Sequence, residues 1–76
     1  MKPEYEPVTI AEKLGYLVEE CGEVLAAVGK AQRRGLESSN PEPGASRETN
    51  RKWILRELGD LENACQIVRS ALEPPL

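Results

Sequence analysis

Residues 9–34, TIAEKLGYLVEECGEVLAAVGKAQRR, decide the fold, because their apolar side chains recur in alternating steps of four and three. This spacing places the apolar side chains on one side of an α-helix. They are Ile10, Leu14, Leu17, Cys21, Val24 and Val28. Thr9 and Glu12 predict a capping box at the start of the helix, and Gly35 is typical of the residue that ends one. At about 1.5 Å per residue, the predicted helix is roughly 40 Å long.

A second helix is predicted over residues 47–72, with Ser46 or Thr49 as its N-cap. Its apolar residues repeat the same spacing: Ile54, Leu58, Leu61, Cys65, Val68 and Leu72. Residues 35–46, which are rich in proline, serine and glycine, predict the loop between the helices. The sequence contains no strand pattern. We therefore expect an all-α, single-domain protein built as a two-helix antiparallel hairpin.

A hairpin of this size buries little of its own surface. A chain of 76 residues covers only about 60% of the surface that its unfolded form exposes. Two apolar stripes on one hairpin leave a side open to water, and pairing two copies into a four-helix bundle covers it. We therefore expect a homodimer or a homotetramer.

Composition narrows the function. With ten basic and thirteen acidic side chains, the net charge of −3 argues against nucleic acid as a partner. No apolar stretch is long enough to cross a membrane, and the first residues lack the apolar run of a signal peptide, so we expect a cytoplasmic protein. The chain has no histidine, which excludes histidine-based catalysis and most zinc sites. Cys21 and Cys65 are interpreted as buried, reduced thiols, with a disulfide or redox role as the alternative.

Two groups of acidic residues are the candidates for chemistry. The first helix carries Glu19, Glu20 and Glu23, and the second carries Glu57 and Asp60. Glu20 and Glu23 project from neighbouring turns, as do Glu57 and Asp60, and an antiparallel hairpin brings the two groups together. Such a gathering is unfavourable unless a cation neutralises it, and oxygen ligands favour Mg²⁺ or Mn²⁺. The alternative is that these acids form ordinary solvated helix surfaces.

The run LVEECGEV at residues 17–24, followed by ELGDL at residues 57–61, resembles the E-E-x-x-E and E-x-x-D motifs of the MazG-like nucleoside triphosphate pyrophosphohydrolases. Residues 30–35 and Asn50 also resemble small members of that family, and the likeness covers roughly residues 9–70. Each half of the motif is weakly specific. The two halves in this order on two helices are more specific.

The resemblance implies a Mg²⁺-dependent hydrolase that assembles helical hairpins into dimers or tetramers. It cleaves a nucleotide between the α- and β-phosphates and releases a monophosphate and pyrophosphate. Carried over to this chain, the metal ligands are Glu20, Glu23, Glu57 and Asp60. Glu19 is then a further ligand or the group that orients the attacking water, so the catalytic candidates are Glu19 and Glu20.

Five residues are candidates for contact with the nucleotide substrate: Lys30, Arg33, Asn50, Lys52 and Trp53. The three cations suit phosphate oxygens, although solvated charges at helix ends have the same pattern. Trp53 could stack on a base or act as a core or interface anchor. Asn50 could contact a base or sugar, or serve only to start the second helix.

Two further hypotheses compete with the pyrophosphohydrolase. One is a non-catalytic helical-hairpin module that dimerises or binds a partner helix, since the apolar spacing suits it equally well. The other is an inactive relative that binds a nucleotide without cleaving it. If the acidic residues converge on one cation, the enzyme is favoured over the non-catalytic module. Release of pyrophosphate distinguishes the enzyme from the inactive relative.

Overall fold

The computed structural model describes residues 6–39 and 47–74, which form two α-helices, α1 (Ile10–Arg34) and α2 (Asn50–Leu72). The helices pack against each other along their length, and the middle of α1 faces the middle of α2. The described part of the chain contains no strand. The predicted all-α hairpin is therefore confirmed, while its assembly into a four-helix bundle stays a prediction.

The predicted limits of α1 are confirmed. Thr9 is the N-cap: its side chain accepts a hydrogen bond from the Glu12 amide at 3.0 Å, and the Glu12 carboxylate accepts one from the Thr9 amide at 2.9 Å. At the other end, Gly35 has a φ of 94°, which favours glycine, and its amide donates to the Ala31 carbonyl at 2.7 Å. Its ψ of 155° then leads the chain out in an extended direction.

The start of α2 lies slightly later than residue 47. Thr49 is the N-cap, and its hydroxyl accepts a hydrogen bond from the Lys52 amide at 3.3 Å. The alternative cap, Ser46, lies outside the described residues, as do residues 40–46 of the predicted loop. Asn50 fastens the two helices together, because its side chain donates to the Gly35 carbonyl at 2.9 Å and its amide donates to the Ser38 carbonyl at 2.9 Å.

The contact between the helices, here called the seam, shares one buried side chain, Val68, with the predicted apolar stripes. Its buried side chains are Tyr16, Glu20, Ala27, Asn50, Glu57, Ala64 and Val68. At about 100° per residue, this line is rotated from the predicted stripe by roughly 90° on α1 and 60° on α2. Ile10 and Leu14, which the stripe places in the core, are 51% and 42% exposed. Most of each apolar stripe therefore lies beside the contact within one hairpin, and the burial of both stripes by a second copy stays a prediction.

Both cysteines lie on the exposed side of this hairpin. Cys21 and Cys65 are free and exposed. The prediction that their thiols are buried is therefore wrong for a single chain. Like Leu14, both cysteines belong to apolar stripes that are rotated away from the seam. No disulfide joins the two residues, and the reduced state of the thiols stays a prediction. Among the described residues, neither helix is long and apolar enough to cross a membrane.

Candidate metal centre

Three glutamates meet where the two helices face each other, and we call them the acidic centre. They are Glu20 and Glu23 of α1 and Glu57 of α2, and one carboxylate oxygen from each lies within 4.8 Å of the others. Glu20 is 5% exposed and Glu57 is 2% exposed, whereas Glu23 lies at the exposed margin. The predicted convergence of acids from both helices is thus present for these three residues.

Two oxygens of the acidic centre have no partner. Oε2 of Glu20 and Oε2 of Glu57 are buried and accept no hydrogen bond. Burying an ionised carboxylate without a partner is costly, because the charged form loses its hydration. Native proteins place such atoms where an ion or a proton satisfies them. A proton on the carboxyl group or a bound cation would satisfy each of these oxygens.

The protonation behaviour of the buried pair reflects this cost. Burial raises the pKa of Glu20, and the charges of Asp60, Glu57 and Glu19 raise it further. Burial is also the main cause of the raised pKa of Glu57. The second cause is a hydrogen bond between the side chains of Glu57 and Glu23. Because this bond needs a protonated carboxyl group as its donor, it favours the protonated form and raises the pKa of Glu57.

Asp60 and Glu19 lie near the acidic centre without joining it. Asp60 is half-buried, one turn after Glu57, and its charge raises the pKa values of both Glu20 and Glu57. It nevertheless falls outside the group of oxygens that lie within 4.8 Å of one another. Glu19 is exposed and influences the centre through its charge on Glu20.

A pair of ionic contacts that the sequence did not predict holds Glu57 in place. Nη1 of Arg56 donates to Oε1 of Glu57 at 2.9 Å. The other side of the same guanidinium donates to both oxygens of Glu48, at 3.1 Å and 3.0 Å. The contact with Glu48 raises the pKa of Arg56. Arg56 thereby occupies one oxygen of Glu57, while the other, Oε2, is buried without a hydrogen-bond partner.

Tyr16 closes the acidic centre on the side toward the start of α1. It is 2% exposed, lies one turn before Glu20, and forms a hydrogen bond with the Asn63 side chain. Burial raises the pKa of its hydroxyl, and the charges of Glu20 and Asp60 add to this effect. Tyr16 is therefore a neutral, largely apolar wall that keeps water away from the buried carboxylates.

The five predicted substrate-binding residues are spread along the hairpin. Trp53 is half-buried one turn before Glu57, and Lys30 is half-buried two turns after Glu23. Arg33 and Lys52 are exposed. Asn50 is buried and its side chain donates to the Gly35 carbonyl at the end of α1, whereas Thr49 caps α2. Contact of all five with a nucleotide stays a prediction.

The comparisons with known proteins return no match: no family model, no curated protein and no solved structure corresponds to this chain. The resemblance to MazG-like pyrophosphohydrolases therefore rests on the sequence of this chain, in which its carriers are the two acidic motifs, residues 30–35 and Asn50.

Proposed function

We propose that the chain is a Mg²⁺-dependent nucleotide pyrophosphohydrolase whose metal is held by the acidic centre. Two observations carry the proposal: one carboxylate oxygen from each of Glu20, Glu23 and Glu57 lies within 4.8 Å of the others, and Glu20 and Glu57 each have a buried oxygen without a hydrogen-bond partner. A divalent cation satisfies both oxygens at once and removes the repulsion between the carboxylates.

The donor set fits a small, hard cation. Three carboxylates from two helices, with no imidazole or thiolate among them, favour Mg²⁺ or Mn²⁺ over Zn²⁺. Mg²⁺ keeps several of its waters, and the exposed position of Glu23 leaves one side of the centre open to solvent. Asp60, one turn from Glu57, is the fourth proposed ligand, directly or through a water.

Residues of the centre and beside it have different parts in the proposed reaction. A bound Mg²⁺ supplies positive charge for the phosphate oxygens and lowers the pKa of a coordinated water. Glu20 and Glu57 hold the ion, and Arg56 keeps Glu57 oriented. In this proposal Glu19, which is exposed and precedes Glu20 in the chain, orients the attacking water and accepts its proton.

The acidic centre repels an anionic substrate when no metal is bound, so nucleotide binding depends on the cation. We propose that Lys30 and Arg33, toward the end of α1, bind phosphate oxygens that extend beyond the metal. Lys52, in the first turn of α2, is a third candidate for this role. Trp53, half-buried one turn from Glu57, offers a ring face for the base. The product pair is a nucleoside monophosphate and pyrophosphate.

The test is a screen of canonical and modified nucleoside triphosphates with Mg²⁺, in which pyrophosphate and orthophosphate are measured separately. We expect pyrophosphate from at least one nucleotide, no activity in EDTA, and loss of activity in Glu20→Gln. Glu62→Gln, which changes the same charge on an exposed residue of α2, should remain active. If the protein binds Mg²⁺ but releases pyrophosphate from no nucleotide, it binds the metal without being a pyrophosphohydrolase.

A non-catalytic hairpin module is the second candidate function. It is favoured by the large apolar side chains that remain exposed on both helices, such as Leu25 at 72% and Leu72 at 60%. A module of this kind needs no cation. Its melting temperature should therefore be indifferent to Mg²⁺ and Mn²⁺, whereas the enzyme's should rise.

A further inference from the structure

Arg56 joins the acidic centre to the protein surface. Its Nη1 donates to Oε1 of Glu57 at 2.9 Å. The Arg56 side chain is 54% exposed, whereas that of Glu57 is 3% exposed. Among the ion pairs of the described residues, this one alone reaches the acidic centre. Arg56 is therefore the cation best placed to meet a ligand that binds there.

Arg56 lies on the side where the acidic centre is open to solvent. At about 100° per residue, Arg56 and Asp60 project to the same side of Glu57 on α2. On α1, Glu19 and Glu23 project to the matching side of the hairpin, and both are exposed. A ligand that enters the centre from solvent therefore passes beside Arg56.

Glu48 fixes the orientation of the Arg56 guanidinium. Nε and Nη2 of Arg56 donate to the two oxygens of Glu48 at 3.1 Å and 3.0 Å, which is the paired contact that a guanidinium makes with a carboxylate. The Glu48 side chain is only 26% exposed. An arginine held in this way loses little side-chain freedom when it binds an anion.

Arg56 also has donors left for a ligand. A guanidinium carries five N–H donors. Within residues 6–39 and 47–74, Glu48 and Glu57 accept hydrogen bonds from three of them. One N–H on Nη1 and one on Nη2 remain, and phosphate oxygens are acceptors that suit a charged pair of donors. The exposed part of the side chain is therefore chemically matched to a phosphate.

We propose that Arg56 binds the substrate phosphate nearest the acidic centre, an inference that rests on the function proposed above. The sequence alone selected other cations for this role. Lys30 and Arg33 lie two turns or more beyond Glu23 along α1, so they serve phosphates that lie further from the centre.

The charges around Arg56 explain why phosphate binding needs both this residue and a cation. Without a cation, Glu48 and Glu57 balance the charge of Arg56, while Glu20 and Glu23 repel an anion. A divalent cation held by the acidic centre offsets the charge of Glu57. More of the Arg56 charge then acts on a phosphate that lies beside it.

The test is isothermal titration calorimetry of the full chain, first with Mg²⁺ and then with pyrophosphate at saturating Mg²⁺. Arg56→Gln should weaken pyrophosphate binding about 10- to 100-fold, because hydrogen bonds from a charged donor are lost. Its Mg²⁺ affinity should change less than about fivefold, because an ion pair with so exposed a cation contributes little to the position of Glu57.

Arg51→Gln is the matched control. Arg51 is also a residue of α2, its side chain is 55% exposed, and it forms an ion pair with Glu37 at 2.6 Å. At about 100° per residue, it projects to the opposite side of the seam from Arg56. This variant should bind Mg²⁺ and pyrophosphate as tightly as the wild type.

A measurement on the wild type covers the case in which circular dichroism shows that Arg56→Gln does not fold. In ¹⁵N-labelled protein with saturating Mg²⁺, the side-chain N–H signals of Arg56 should shift when pyrophosphate is added. Those of Arg51 should stay in place, because its guanidinium lies away from the acidic centre.

The outcomes separate this inference from the proposed function. Equal pyrophosphate affinity in the wild type and Arg56→Gln, unmoved Arg56 signals, or a wild type that binds Mg²⁺ but no pyrophosphate would overturn the role of Arg56. So would a loss of Mg²⁺ affinity as large as the loss of pyrophosphate affinity, since Arg56 would then act only through Glu57. A wild type that binds no Mg²⁺ contradicts the proposed function itself, and the inference fails with it.

Discussion

Glu57→Gln removes one negative charge from the acidic centre and keeps the size of the side chain. Glu57 loses its ion pair with Arg56, whose side chain is 54% exposed, and an exposed pair of this kind contributes at most about 1 kcal/mol. In exchange, the repulsion from Glu20 and Glu23, within 4.8 Å, disappears. At an effective dielectric constant near 20, one such repulsion is roughly 3 kcal/mol. Without metal, the variant should therefore be at least as stable as the wild type.

The effect reverses when Mg²⁺ is present. At a metal concentration of about 100 times the Kd, binding stabilises the wild type by about 2.7 kcal/mol. In a domain of this size, 1 kcal/mol corresponds to roughly 4–8 °C, so the melting temperature should rise by about 11–22 °C. We expect Glu57→Gln, which lacks one carboxylate ligand, to bind Mg²⁺ about 100-fold more weakly. At the same Mg²⁺ concentration, binding then stabilises the variant by only about 0.4 kcal/mol, and its melting temperature rises by about 2–3 °C.

The assay is thermal unfolding followed by circular dichroism, with and without Mg²⁺, for the wild type and two variants. Glu62→Gln is the matched control, because Glu62 is an exposed glutamate of the same helix. It should keep the full Mg²⁺ shift while Glu57→Gln loses most of it. An equal shift in both variants would refute the assignment of Glu57 as a metal ligand.

Three further results are expected. Gly22→Ala should raise the free energy of unfolding, measured in urea titrations, by about 1 kcal/mol, because glycine costs that much within a helix. An added Cβ at this position meets nothing within 4 Å, so a decrease would show that another helix packs there. Asn50→Ala should lower it by about 1–2 kcal/mol, since the buried Asn50 side chain donates to the Gly35 carbonyl; an unchanged value would show that this bond contributes nothing. The pKa values of Glu20 and Glu57 are raised above 4.5, so their stabilising contribution is complete below pH 4.5 and is lost as the pH rises through the raised values. In EDTA, the wild type should accordingly lose stability above pH 4.5 more steeply than Glu57→Gln, and parallel profiles would contradict the raised pKa of Glu57.

The helices themselves could be predicted because their ends are encoded locally. Thr9 and Glu12 satisfy each other's backbone groups, and Gly35 permits the positive φ at the end of α1. The side of each helix that forms the seam could not be predicted in this way. Periodicity identifies the most apolar stripe, and here the seam contains Tyr16, Glu20 and other residues that a hydrophobic pattern does not select. The pattern instead marks side chains that remain exposed on the hairpin, such as Ile10 and Leu14.

The acidic centre was predictable only in part. Glu20, Glu23 and Glu57 could be placed together, because helical spacing and an antiparallel hairpin require it. Arg56 and Glu48 carried no such signal. Arg56 is recognisable only as the neighbour of Glu57 in the chain, and its contact with Glu48, eight residues earlier, depends on how the chain enters α2.

The central claim is that the acidic centre binds a divalent cation, and a titration with Mn²⁺ followed by electron paramagnetic resonance tests it most directly. We expect the signal of free Mn²⁺ to fall as the ion binds to the wild type and to Glu62→Gln, and to return when Mg²⁺ is added. Glu20→Gln should leave the ion free. If the wild type also leaves Mn²⁺ free up to millimolar concentrations, the acidic centre does not bind a metal and the enzymatic proposal fails with it.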